Sequence, residues 1–437
     1  MAFERVHLPI ESKGVMQLFC ERLAGWTAPA DAFVTLHGSD GYAFWLDREH
    51  SIDDRFSVIG SGVSTVECDI DFASFNLDVP FAFRPGLVGV FAYEQESSEF
   101  LRVDRALVFD HDSRAIWFIG FFADKSTFDH WVQAALLRLA LVGGETAAYR
   151  NSHSQTTLST PKLRHAPGEY LELIERAQRH IAAGDVYQLC LTNQITAAGS
   201  ADSLETFFRL RSLNPTPYAA YLKLGERAVV CSSPEQFLRV SADGWVSSKP
   251  IKGTRRRDSD SGKDALLAQE LAANVKERAE NLMIVDLMRN DVGQVCEPAS
   301  VNVPKLFEVE TYRTVHQLVS TVVGKLRDGK TALDAIAAAF PGGSMTGAPK
   351  SRAMQLIAEF EAGERGIYSG AIGYVGVDGS VDLGMVIRTI VFEANLVRIG
   401  VGGGITSDSI PVEELEETRL KAKALLEALG LDDPWAW

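Results

Sequence analysis

Beyond Pro167 the chain alternates β-prone apolar runs with amphipathic helical stretches, and this alternation limits the folds open to it more than any other feature. The runs are ValTyrGlnLeuCysLeuThr (186–192), AlaTyrLeuLysLeu (220–224), SerValAsnVal (300–303), GlyAlaIleGlyTyrVal (370–375) and GlyMetValIleArgThrIleValPhe (384–392). Helical patterning lies between them near 264–289, 331–340, 349–361 and 412–429. A further helix is expected from Pro167 to about Ala183, with Tyr170, Leu171, Ile174, Ala177 and Ile181 on one face. The pattern predicts an α+β protein with large antiparallel sheets and flanking helices, although spacing alone leaves α/β open. Upstream, residues 33–120 read mostly as short strands, such as AlaPheValThrLeu (32–36), TyrAlaPheTrpLeu (42–46) and LeuValGlyValPheAlaTyr (87–93). The stretch 143–167 is rich in Ser, Thr, Gly, Asn and Gln. We therefore expect a β-rich region over 1–150, a linker over 151–167 and a second domain over 168–437.

Composition narrows the function. A formal net charge of -15 argues against nucleic acid as partner, because phosphate backbones call for a basic footprint. The five cysteines (Cys20, Cys68, Cys190, Cys231 and Cys296) have neither CxxC pairing nor zinc spacing, as suits a reducing cytoplasm. No apolar run has the length of a signal peptide or a membrane span, so a soluble, cytoplasmic protein is expected.

Lys252 is the residue with the clearest chemical promise. It lies in a glycine-containing turn with Lys249, Arg255, Arg256 and Arg257 close by in sequence. Neighbouring positive charge penalises a protonated amine, and lowering its pKa from about 10.4 to roughly 7 to 8 corresponds to on the order of 4 kcal/mol. Such an amine is a nucleophile; the alternative is a solvated basic turn. Glu277 and Glu280 share one helix face, and Glu414 and Glu417 repeat the spacing with Lys421 one turn further on. Two acidic faces could clamp one Mg²⁺, whereas a single one reads as solvated surface with i,i+4 pairing. GlyValGlyGlyGlyIleThrSer (400–407) follows a strand and could offer backbone N–H groups to a carboxylate, or be a plain connection. ProGlyGlySerMetThrGlyAlaProLysSer (341–351) lacks the GlyLys[Ser/Thr] ending of a phosphate loop and reads as a turn into a helix, with Pro349 in its first turn. Arg388, set in the apolar run MetValIleArgThrIleVal (385–391), needs a carboxylate partner from the protein or from a substrate. Glu235, His316 and Tyr368 are each weak signals alone.

Together, SerSerProGlu (232–235), ProIleLysGlyThr (250–254), GluArgAlaGlu (277–280), IleValAspLeuMetArgAsnAsp (284–291), GlySerMetThrGlyAlaProLys (343–350), the glycines at 402–404 and GluGluThrArg (416–419) resemble the chorismate-utilising enzymes. That family includes the anthranilate, aminodeoxychorismate, isochorismate and salicylate synthases. The resemblance is dense over about 168–430 and looser at ArgPheSerValIleGly (55–60) and GlyLeuValGlyValPheAlaTyrGlu (86–94). It implies two large antiparallel sheets packed as a sandwich with flanking helices, as in anthranilate synthase component I. Gln188 stands where water-using members carry a lysine base, and ProIleLysGlyThr resembles the aminodeoxychorismate branch rather than the ProIleAlaGlyThr of anthranilate synthases.

The resemblance further implies that chorismate and ammonia give 4-amino-4-deoxychorismate through a covalent Lys252 adduct. Mg²⁺ would sit on Glu280 and Glu417, supported by Glu277 and Glu414. Glu235 and His316 would move protons. Arg388 and Tyr368 would hold the enolpyruvyl carboxylate, Gly402, Gly404 and Lys421 the ring carboxylate, and Thr254 would line the pocket. No GlyxCysxGly elbow is present, so ammonia is expected from a separate glutaminase subunit. Ser57, Pro217 and Tyr218, the latter two within AsnProThrProTyr (214–218), match part of the family's tryptophan pocket. The LeuLeuGluSer signature is absent near ProIleGluSer (9–12).

Overall fold

The computed structural model describes residues 16–73, 77–140 and 142–435. The ProIleGluSer stretch at 9–12 lies outside them. The chain builds two large antiparallel sheets. One runs, edge to edge, through Gln17–Ala24, Ala115–Phe122, Arg105–Asp110, Phe56–Ser61, Tyr42–Asp47, Tyr218–Leu224, Arg227–Ser233, Thr389–Glu393, Leu396–Ile405, Gln188–Ala198 and Gly347–Ala348. The other runs through Ile251–Arg256, Val315–Lys325, Trp245–Lys249, Gln236–Val240, Val381–Met385, Ala371–Gly376, Gly86–Phe91, Glu99–Val103 and Val63–Thr65. Both sheets take strands from before and after residues 151–167. That crossover runs beside the strand Gln188–Ala198, where the Ser159 N–H donates to the Ala198 carbonyl at 2.7 Å. Apolar side chains from the two sheets, among them Phe44, Val88, Val90, Ile372 and Tyr374, close the space between them.

The outer face of the first sheet is covered by helices. Trp45, Phe109 and Ile399 on strands pack there with Phe128, Phe207 and Leu425 on helices. The helix Pro167–Ala182 buries Tyr170, Leu173, Ile174 and Ala177, and the helix Lys350–Phe360 packs beside it through Leu356 and Ile357. Among the described residues no helix is long and apolar enough to cross a membrane.

Three local expectations are corrected. Residues 32–36 belong to a helix, Pro29–His37, with Pro29 and Asp31 in its first turn and Ala32, Phe33 and Leu36 buried. A five-residue apolar run carries too little periodicity to separate helix from strand. The helical stretch near 264–289 is two helices, Ser261–Ala273 and Val275–Gly293. Asn274 divides them, with extended backbone and a side chain that accepts from the Glu277 N–H at 3.1 Å. The apolar run 384–392 is not one strand either: Val381–Met385 lies in one sheet and Thr389–Glu393 in the other. Arg388 is the bend between them, with φ +49°.

Candidate active site

Lys252 lies on the strand Ile251–Arg256, where pairing with Val315–Lys325 is out of step at the next residue: Lys252 faces Leu318 and Thr254 faces Gln317. Gly253 absorbs the extra residue with φ +79°, which favours glycine, and a bulge of this kind re-aims the neighbouring side chain. Lys252 Nζ comes to 3.3 Å from the point where Gly404 would carry a Cβ, beside the Gln188 amide at 2.6 Å from that point.

The charges around Lys252 are the reverse of those expected. Lys249 is paired with Asp53 at 2.5 Å and Glu310 at 2.6 Å, Arg255 with Glu270 at 2.7 Å, and Arg257 with Asp264 at 2.7 Å. Burial pulls the Lys252 ammonium toward neutrality, but the carboxylates of Glu280, Glu235 and Glu417 overcome it and hold the pKa above its ordinary value. Lys249, Arg255 and Arg257 are thus neutralised by acids that are mostly distant in sequence.

The two acidic faces lie on Val275–Gly293 and Pro411–Leu429. Lys276 spans them, 4.0 Å from Glu280 and 3.7 Å from Glu414. Glu414, Lys421 and Glu417 converge on Gly403, at 3.4, 3.7 and 4.0 Å from the place of a Cβ there. Burial, with repulsion from neighbouring carboxylates, pushes Glu280 and Glu414 upward, while Lys421 at 2.7 Å holds Glu417 down. Glu277 turns instead toward Gly253 and Arg255, 3.4 Å from the latter. Among the described residues no three acidic, histidine or cysteine side chains converge on one point as a finished metal site. The donor set still suits a hard divalent cation: Glu280 and Glu414 lie on either side of the Lys276 ammonium, and Glu417 shares the Gly403 face with Glu414, which also accepts from Ser409 Oγ at 2.7 Å.

The glycine stretch is strand rather than a connection after one: Leu396–Ile405 pairs with Gln188–Ala198, Gly404 opposite Cys190 and Gly402 opposite Thr192. The Cys190 N–H donates to the Thr346 carbonyl at 2.8 Å and the Thr192 N–H to Glu361 Oε1 at 2.8 Å, so both turn away from the glycines. In an antiparallel ladder their partners turn away as well, which leaves the Gly402 and Gly404 amides clear of this pairing. On the other side, pairing with Thr389–Glu393 stops at Ile399. Lys421 donates to the Gly402 carbonyl at 2.9 Å.

The Arg388 side chain makes no hydrogen bond or ion pair among the described residues, while its backbone carbonyl accepts from the Ser232 N–H at 3.1 Å. Burial draws its guanidinium below the usual range against the pull of Glu235 and Glu417. A cation so placed and unpaired suits a carboxylate ligand. Tyr368 is buried with its ring on Gly400. Glu235 is 6% exposed, and burial pushes its carboxyl up to about 7. Thr254 is exposed. His316 is set apart from this group by its hydrogen bonds: its ring nitrogens meet Thr311 Oγ1 and Asp264 Oδ1, each at 2.9 Å. Sequence reasoning missed Lys276, although its i,i+4 relation to Glu280 was visible. It also missed Ser344, a buried hydroxyl that faces the Glu235 carboxyl.

Residues 72–427 match the family model described as chorismate binding enzyme. The chain belongs to the chorismate-binding enzymes.

Among curated relatives, this chorismate-binding enzyme is 44% identical to an aminodeoxychorismate synthase of Streptomyces pristinaespiralis over 80% of its own length and 52% of the relative's. It thus spans about half the length of that relative. It is 39% identical to anthranilate synthase component 1 of Streptomyces coelicolor, over 95% of its own length and 89% of the relative's. Its fold superposes on anthranilate synthase component I of Streptococcus pneumoniae with a TM-score of 0.74 and 28% identity, over 91% of this chain and 97% of the other.

At the positions matched to a tryptophan pocket, the side chains of this chorismate-binding enzyme are engaged with their neighbours. Ser57 Oγ donates to Asp47 Oδ1 at 2.9 Å and meets His111 Nε2 at 2.7 Å. Tyr218 donates to Asp382 Oδ1 at 3.0 Å, and Pro217 is buried beside it. Arg48 lies over the Tyr218 ring, 4.4 Å from its centroid, and donates to Asp382 Oδ2 at 3.3 Å.

Proposed function

We propose that this chain is the chorismate-aminating component of an aminodeoxychorismate synthase. It takes chorismate and ammonia to 4-amino-4-deoxychorismate, with ammonia supplied by a glutaminase partner. The observation that carries the reading is Lys252, a half-buried lysine aimed by a glycine bulge at the Gly404 face, in the electrostatic reach of a carboxyl, Glu235, that burial has tuned to about 7.

In this reading Arg388 and Tyr368 take the enolpyruvyl carboxylate, and the Gly402 and Gly404 amides with Lys421 take the ring carboxylate. Lys252, once deprotonated, attacks C2; the ring double bonds shift, the C4–O bond breaks, and the departing hydroxyl takes the Glu235 proton to leave as water. Ammonia then bonds to C4, the double bonds shift back, and Lys252 leaves C2 with its bonding electrons. Mg²⁺ held by Glu280 and Glu417, with Glu277 and Glu414 in support, would supply Lewis acidity at the leaving hydroxyl.

A second reading, anthranilate synthase component I, is favoured by the near-complete coverage of the Streptomyces coelicolor relative. The two differ in product. The purified chain is incubated with chorismate, magnesium chloride and ammonium chloride, and the product is identified by mass spectrometry. A compound that 4-amino-4-deoxychorismate lyase converts to 4-aminobenzoate supports the first reading. Anthranilate released without lyase overturns it in favour of the second.

A further inference from the structure

Beyond the helix Lys350–Phe360 the chain carries a buried ion pair that the reaction steps above do not use. The side chains of Arg365 and Glu361 are only 2% and 1% exposed. Arg365 Nε donates to Glu361 Oε2 at 2.7 Å, and Nη2 donates to Glu361 Oε1 at 2.6 Å. Nη1 donates to the Met345 carbonyl at 2.6 Å and to Ser369 Oγ at 3.2 Å, and Nη2 also donates to the Cys190 carbonyl at 2.8 Å. A guanidinium has five N–H groups, and all five are taken. Arg365 therefore has no donor left for a substrate.

Each place that the pair ties down adjoins a part of the site. Ser369 follows Tyr368, whose ring lies on Gly400. Ser369 is fully buried with φ +70°, a left-handed conformation that a residue with a side chain keeps only where its surroundings hold it. Met345 follows Ser344, the buried hydroxyl that faces the Glu235 carboxyl. Cys190 pairs opposite Gly404, and Glu361 Oε1 accepts from the N–H of Thr192, which pairs opposite Gly402. Met345 and Cys190 lie 20 and 175 residues from Arg365 in sequence, so the guanidinium joins segments that no local pattern brings together. A buried ion pair adds little stability over a well-packed apolar pair of the same volume, whereas a planar five-donor group fixes positions that an apolar pair cannot.

We propose that Arg365, held by Glu361, is a positioning residue for chorismate, setting the Tyr368 ring, the Ser344 turn and the Gly402–Gly404 backbone at one fixed spacing. On the aminating reading above, on which this assignment rests, Tyr368 meets the enolpyruvyl carboxylate and the glycine amides meet the ring carboxylate. Two carboxylates on one rigid ligand need anchors at a fixed separation, and a misplacement of about 1 Å weakens the fit. The same guanidinium links both anchors to the acid. Glu235 is faced by Ser344, Lys252, Lys421 and Arg388, all of which favour its charged form. A slack Ser344 turn removes one of these influences, so the carboxyl then keeps its proton to higher pH.

Arg365→Lys keeps a cation for Glu361 but loses the planar set of donors. Amination is followed over ranges of chorismate, ammonium chloride and pH, with circular dichroism to establish that the variant is folded. The expected result is a KM for chorismate raised at least about tenfold, a KM for ammonia within about twofold of the wild type, and a falling limb of kcat moved to higher pH. A purely structural role lowers the amount of active enzyme, so kcat falls while the KM for chorismate and the limb stay in place; that pattern overturns the assignment, as does wild-type behaviour throughout. If Arg365→Lys does not fold, Ser369→Ala decides, because it leaves the ion pair intact and cuts only the bond to the segment bearing Tyr368. A KM for chorismate raised about threefold or more, with the limb unmoved, supports the assignment, and an unaltered KM overturns it. If the wild-type chain forms no 4-amino-4-deoxychorismate, the aminating reading itself has failed. Titration calorimetry of chorismate with magnesium chloride then decides the role of Arg365 without turnover: weaker binding to the folded variant supports it, and equal binding overturns it.

Discussion

Lys252 Nζ lies 3.3 Å from where Gly404 would carry a Cβ, so the amine and the bare glycine backbone bound the same space. A methyl group at 404 would also come within 2.6 Å of the Gln188 amide. Gly404→Ala should therefore lower kcat/KM for chorismate by about tenfold to a hundredfold by displacing both side chains. Its thermal midpoint should stay near that of the wild type, because Gly404 is partly exposed. Steady-state kinetics beside a melting curve check this, and full activity would remove the amine from the reaction space.

Lys252→Ala should abolish or redirect 4-amino-4-deoxychorismate formation, with a loss of at least about a thousandfold for the aminated product. In the wild type, acid quenching during turnover followed by peptide mass spectrometry should find chorismate-derived mass on Lys252. A variant with unchanged rate and product would refute the nucleophile assignment.

Burial raises the Glu235 carboxyl to about 7, above its ordinary 4.5. As proton donor it works in the neutral form, so kcat should fall as pH rises through about 7. The sign for stability is the same: the folded state holds a proton that the unfolded state has already lost, so this contribution is present below about pH 4.5 and is lost as pH climbs to about 7. Glu235→Gln should remove the falling limb of the rate profile and make the fold more stable on the alkaline side by up to about 3 kcal/mol. Rate profiles and denaturant melts across that range test both.

Glu417→Gln should raise the Mg²⁺ concentration needed for half-maximal activity about tenfold. Lys276→Met should act in the opposite direction, because the ammonium between Glu280 and Glu414 competes with a metal ion for the same carboxylates. Titration calorimetry with Mg²⁺ reads both changes without turnover. If neither variant alters binding, the acidic helix faces are not the metal site.

Arg48 occupies the face of Tyr218 and pairs with Asp382, so the Tyr218 side of the expected tryptophan pocket is already engaged. Tryptophan should therefore not slow the enzyme, and Arg48→Ala should open a cavity that tryptophan can enter. Equilibrium dialysis with labelled tryptophan decides; binding to the wild-type chain would show that Arg48 moves aside.

Much of the site was legible because its parts are local. The acid pairs Glu277/Glu280 and Glu414/Glu417 sit one helical turn apart, and a period of 3.6 puts them on one face whatever else the chain does. Gly253 beside Lys252 announced a special backbone in the same way. Residues 32–36 were misread because five residues give a helix and a strand the same apolar signature, and only packing against Trp45 and Tyr221 decides between them.

By itself the sequence determined which segments are helix or strand over most of the chain, the family, and the chemical kinds of group available: an amine, paired carboxylates, a lone guanidinium and bare backbone. Tertiary structure decided their charges and their meeting. Lys249 and Arg257 are neutralised by Asp53, Glu310 and Asp264, while Glu280, Glu235 and Glu417 surround the amine that looked cation-crowded. Arg388 became a bend between sheets rather than a residue within one strand. Local periodicity is written by neighbours a few residues apart, whereas electrostatic surroundings depend on the register of strands drawn from more than a hundred residues away, and no single segment encodes that register.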